Sequence, residues 1–179
     1  MGKVLEMEEQ KRHLTAKRGY ESWKRRFSET FDPNAAPADL SDAVLAALIE
    51  GSEESSMALY ELIMGFLGLG KGPRFYSLEA ADIITVTDIT LFLLDQLRFE
   101  SMRRLQWIDD WPTVHIPLLD LVEQFSTRYS PVRHQTPRLS TEHPRFAEYQ
   151  EAFEGDRDLF IRRLIPDAIK CFEEKKKPR

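Results

Sequence analysis

SLEAADIITVTDITLFLLDQLRFESMRRLQWI, Ser77 to Ile108, is the stretch whose reading decides the fold. Its middle, ITVT, alternates apolar and β-branched residues as a strand would. The flanks, SLEAAD and FLLDQLRFESMRRLQ, are strong helix formers. No second stretch of equal quality is present to pair with ITVT, and an isolated two-stranded hairpin is at best marginal in water. The segment therefore reads as one long helix. Isoleucine, valine, leucine and phenylalanine fall on nearly every face of Ile83 to Leu97, which predicts a central helix packed on several sides.

Toward the N-terminus, a first helix is expected from about Val4 to Phe31, with Tyr20, Trp23, Phe27 and Phe31 in one stripe at spacings of three and four. Asp32-Pro33 ends it, because the residue before proline disfavours helical angles. A second helix runs from Asp39 or Ser41 to Glu50, stopped by Gly51, and a third is capped by Ser52. Toward the C-terminus, Ile116 to Tyr129 is helical with Pro117 in its first turn. Ser130 to His143 is the longest loop. Pro144 opens a short helix with Phe146, Tyr149 and Phe153 as its stripe, and Asp156 to Glu174 is the last helix, expected to kink at Pro166. The prediction is a single all-α domain spanning 1–179, with six or seven helices packed around the long one. Residues 1–31 form a long N-terminal helix whose first half projects, and 175–179 form a frayed tail.

Composition supports one core: 42% of the 179 residues are hydrophobic and 11% aromatic, too many large apolar groups for a disordered chain. The net charge of -5 is uneven. Met1 to Phe31 carries eight Lys/Arg against five Asp/Glu, whereas Asp32 to Glu100 carries three against twelve. Basic character confined to the first helix and the last few residues disfavours nucleic acid as a partner. Cys171 is the lone cysteine, which excludes an intrachain disulfide framework. With no leader-like N-terminus and no apolar run long enough to span a bilayer, a cytoplasmic location is the expectation.

GFLGLGKG, Gly65 to Gly72, matches the spacing of a phosphate-binding loop at Gly65, Gly70 and Lys71. It lacks the Ser or Thr that would hold magnesium, follows a helix instead of a strand, and runs into Pro73. It reads as a turn between helices. The helix pair around Gly51 has the outline of a helix-turn-helix, yet its second member carries Glu53, Glu54 and Glu61 and no base, so it would repel phosphate. His13, His115, His134 and His143, with Asp109, Asp110 and Glu142, have no tight metal-ligand spacing, so no metal or cofactor is expected. Cys171 sits at the C-terminal end of a helix, where the dipole opposes a thiolate.

Two features carry binding hypotheses. The stripe of Tyr20, Trp23 and Phe27, with a basic flank, docks in the protein's own core, in a partner's groove or on a membrane surface. Asp88 lies among threonines and aliphatics; it either lines a pocket as a buried acid or belongs to a polar side of the helix. With no catalytic constellation, the preferred function is a non-catalytic interaction module, a homodimer or an adaptor, with the first helix as its contact element. The alternative is a small-molecule-binding helical protein or enzyme with a pocket near Asp88, Trp107, Trp111 and His115.

Overall fold

The Ser77–Ile108 segment folds as a helix. The computed structural model describes residues 2–29, 31–126 and 136–176, and within residues 2–17 the side chains of Met7, Gln10, Leu14 and Lys17. Seven α-helices run through them: α1 (Gly2–Phe27), α2 (Asp42–Ile49), α3 (Glu53–Leu67), α4 (Ala80–Arg104), α5 (Leu118–Ser126), α6 (Phe146–Glu151) and α7 (Arg157–Lys176). The described residues contain no strand. A single antiparallel bridge joins Ile108 to Leu139, flanked by backbone hydrogen bonds from Asp109 N to Arg138 O at 3.1 Å and from Ser140 N to Trp107 O at 2.9 Å. The fold class is all-α.

Within the ITVT run Thr85 satisfies its hydroxyl on the helix itself, as Thr90 does just beyond the run. Thr85 Oγ1 donates to Ala81 O at 2.9 Å and Thr90 Oγ1 to Val86 O at 2.7 Å, the bond back along the helix that β-branched hydroxyls make. α4 packs against α2, α3, α5 and α7. Val86, Ile89, Leu93 and Leu97, spaced by three or four, turn one face into the core. The expectation of contact on several sides holds only for the second half, where every residue from Gln96 to Met102 except Arg98 is buried. In the first half, Ala81, Ile84, Thr85, Asp88 and Leu91 form one exposed stripe.

Boundaries moved inward for local reasons. Gly72–Ser77 is a 3-10 turn, so α4 starts three residues later than expected. At its other end Gln106 takes a left-handed φ of 62°. α1 stops at Phe27, not Phe31, because Ser28 has φ 55°. α5 is described only to Ser126, so the expected extension to Tyr129 and the loop from Ser130 to residue 135 lie outside the described residues. α7 continues through Pro166, which is exposed.

The apolar interior has two parts. The larger gathers Trp23, Leu45, Leu59, Leu93 and Leu121 from α1 to α5; the smaller gathers Phe99, Met102, Ile108, Leu139, Ile161 and Leu164. Leu105 and Ile169 pack against both. Each fully buried side chain of this size contributes about 1.5–3 kcal/mol relative to exposure.

GFLGLGKG turns the chain between α3 and the 3-10 turn. Gly68 ends α3 at φ 72°, a left-handed cap that a side chain strains. Gly72 is there for room: a Cβ on it would lie 2.4 Å from Glu61 Cγ and 2.9 Å from Met57 Sδ. Among the described residues, no helix is long and apolar enough to cross a membrane.

Candidate functional site

The aromatic stripe of α1 faces inward. Tyr20 and Trp23 are buried and Phe27 packs on the same core. Trp23 has no exposed surface, and its Nε1 donates to Ala58 O on α3 at 2.7 Å. Phe31, beyond the helix end, folds back to stack on Tyr20 with centroids 5.9 Å apart and meets Trp23 edge-on at 5.2 Å. The Tyr20 hydroxyl finds no partner among the described residues; burial first, then the carboxylates of Asp32 and Asp120, hold its pKa well above the ordinary phenol range. Of the three destinations open to Tyr20, Trp23 and Phe27, the structure has the first: they dock α1 onto its own body.

The register of that docking defines what α1 leaves free. Gly19 sits over Leu62, with its would-be Cβ 3.2 Å from Leu62 Cα, and Trp23 reaches Ala58. Ser22 donates to Glu61, which also accepts from Arg26 at 3.2 and 3.3 Å. The two helices run antiparallel, residue for residue, so Leu67, the last residue of α3, is met near Leu14. Residues 2–13 extend past it, roughly 18 Å of helix at 1.5 Å per residue. Met7 in this section is 68% exposed, and Leu14 at its edge 62%.

Asp88 is exposed, at the middle of the outer stripe of α4. The buried-acid reading of Asp88 is corrected, because the helix turns Val86 and Ile89 inward and residue 88 outward. The buried carboxylate of α4 is Glu100, which has no exposed surface. Arg103 grips it through Nε at 2.7 Å and Nη2 at 3.0 Å, and Arg104 Nε donates to it at 2.5 Å. Arg104 continues to Asp42 through Nη1 at 2.6 Å, and its Nη2 reaches the carbonyls of Leu40 at 2.8 Å, Ala38 at 3.2 Å and Pro37 at 3.3 Å. The cluster ties the end of α4 to the start of α2. The pattern E-x-x-R-R, at helical spacings of three and four, is the sequence signal for it, one that the reading of Asp88 does not use.

Trp111 and His115 belong to the neighbourhood of this cluster, and Trp107 packs with Trp111 on the smaller core. Thr113 Oγ1 and Trp111 Nε1 donate to the buried Gln96 Oε1 at 2.6 and 3.4 Å. His115 Nε2 lies 3.1 Å from Asp110 Oδ1, and Arg103 Nη1 lies 3.8 Å from the same oxygen; His115 first, then Arg103, hold the Asp110 carboxyl below its ordinary range. Trp107 meets His143 edge-on at 4.9 Å. Asp88 precedes Gln96 by eight residues, about 12 Å along the helix, so it does not join these side chains.

Chemically, these groups saturate one another. Glu100 is held by two guanidiniums, Gln96 by two donors, and His143 Nδ1 accepts from Arg145 N at 3.1 Å. Among the described residues, no three His, Cys, Asp or Glu side chains come together to hold a metal ion. His134 lies outside the described residues, as does the side chain of His13. Cys171 is half-buried. Comparison of the chain with protein-family models, with curated proteins and with solved structures finds no match to any of them.

Proposed function

We propose that this chain is a non-catalytic interaction module that associates with a second copy through the N-terminal half of α1. The observation that carries the reading is the pair Met7 and Leu14, both more than three-fifths exposed and seven residues apart, Leu14 level with the end of α3 and Met7 beyond it. A spacing of seven repeats one face of a helix every two turns, the period on which helices pair. Val4, at the matching position of the seam three residues before Met7, extends the apolar set in the sequence. The aromatic stripe is already occupied by the core, and the polar cluster at the end of α4 is saturated, so neither competes with this surface as the contact. A reducing interior such as the cytoplasm suits a chain whose one cysteine has no partner for a disulfide.

Size-exclusion chromatography with light scattering tests the reading on the full chain and on a chain lacking residues 2–17. The expected result is a dimer that becomes a monomer on truncation. A monomer in both overturns it.

A further inference from the structure

Two exposed apolar stripes lie on this molecule with the same spacing and opposite charge. On α1 they are Met7 and Leu14; on α4 they are Ile84 and Leu91, 61% and 57% exposed. Each pair is separated by seven residues, about 10.5 Å of helix. Residues 10–18 carry Lys11, Arg12, Lys17 and Arg18 with no acid, the acids Glu6, Glu8 and Glu9 lying at the Met7 end, whereas residues 79–91 carry Glu79, Asp82 and Asp88 with no base. Lys17 and Arg18 are exposed one turn beyond Leu14, and Glu79 is exposed just before α4 begins. Asp88 is exposed between Ile84 and Leu91.

We infer that the α4 stripe Ile84–Asp88–Leu91 is the docking surface for the projecting half of α1 from a second copy of this chain. This rests on the reading that α1 mediates self-association, and it names the surface that receives it. An antiparallel crossing sets Leu14 against Ile84 and Met7 against Leu91, and carries Lys17 and Arg18 toward Glu79 and Asp82. Exchange about a two-fold axis gives two identical α1–α4 contacts and closes the pair, so no further copies add. Opposite charge along the two stripes fixes the direction of docking and disfavours α1 against α1 in the register that would juxtapose the Lys17 and Arg18 ends. It also accounts for Asp88: a carboxylate between two exposed aliphatics repels the equivalent acidic face of a second α4 and accepts a basic one.

Sedimentation equilibrium on four full-length proteins decides it: the wild type, Leu14→Glu, Leu91→Glu and Ile84→Glu. All substituted positions are exposed, and circular dichroism melts verify that the folds are kept, with Ile84→Glu as a second variant of the α4 surface. Each variant alone is expected to dimerise at least about tenfold more weakly than the wild type, as for a central contact residue. Mixing Leu14→Glu with Leu91→Glu is expected to pair more tightly than either variant alone and more weakly than the wild type, because one of the two contacts joins the intact α1 of one chain to the intact α4 of the other and the second contact carries both substitutions. If Leu14→Glu dissociates while Leu91→Glu and Ile84→Glu pair like the wild type, α1 associates through another surface and the inference is overturned, with the self-association reading left standing. A monomeric wild type overturns both.

Discussion

Trp23 donates its indole N–H to the Ala58 carbonyl at 2.7 Å from a position with no solvent exposure. One bond thus fixes both the rotation of α1 about its axis and its height on α3. Phe27 and Phe31 meet the Trp23 ring edge-on at 5.9 and 5.2 Å, so the ring is held on three sides by aromatic edges and one helix backbone. Since the N-terminal half of α1 is a continuation of the same helix, Trp23 also aims the surface proposed for self-association.

Replacing Trp23 separates its packing from its hydrogen bond. Trp23→Ala is expected to lose about 3–5 kcal/mol, the range for a large aromatic removed from a core. Trp23→Phe keeps much of the ring but not the donor, and is expected to lose less, with the missing hydrogen bond accounting for about 1 kcal/mol of its loss. Urea unfolding with an unchanged m-value checks the order of the two variants.

The Glu100 cluster makes a different prediction, because its charges are buried as a group. Glu100→Gln leaves Arg103 and Arg104 facing a neutral amide, and breaking such a pair from one side costs roughly 3 kcal/mol, reduced by the partial exposure of both arginines. Glu100→Met combined with Arg104→Met removes charge from both sides of the central pair and is expected to recover part of that loss. A double-mutant cycle by chemical denaturation measures the coupling; additive losses would mean that Glu100 and Arg104 act independently.

Helix identity was legible in the chain, and helix phase was not. The helix over ITVT followed from its flanks, and the inward turn of Tyr20, Trp23 and Phe27 followed from their spacing. Which acid α4 buries did not follow, because Asp88 and Glu100 both sit among apolar residues in the sequence. Their fates differ only through the rotation of α4 against its neighbours, which Val86, Ile89 and Leu93 set. Glu100 carried a local clue in the arginines three and four positions on. Phe31 shows the opposite case: it joins Tyr20 and Trp23 as expected, but by a chain reversal after Ser28 instead of by helical periodicity. The exposure of Ile84 and Leu91 was equally invisible in composition, since an apolar residue on a long helix reads as core until its neighbours are known.

A last prediction concerns pH, through the segment that returns along Trp107. His143 is buried against the edge of the Trp107 ring, and its Nδ1 accepts the backbone N–H of Arg145. The charged groups beside it are Arg145 and, through Arg145, Glu148 with its guanidinium contact at 2.7 Å and Asp167 of α7. Burial first, then the positive charge of Arg145, lower the His143 pKa below the ordinary 6.5. The folded state thus favours the neutral ring, and the stability this gives is fully present above pH 6.5 and is lost as pH falls through the lowered value. Protonation takes away the Nδ1 lone pair and sets a second positive charge beside Arg145, so the segment from Arg138 to Arg145 loosens from Trp107. His143→Asn keeps an acceptor near the Nδ1 position without titrating. Between pH 7.5 and pH 5 the wild type is expected to lose more thermal stability than His143→Asn, and its Trp107 fluorescence to change over the same interval; parallel melting curves for the two proteins would show that His143 does not report the pH.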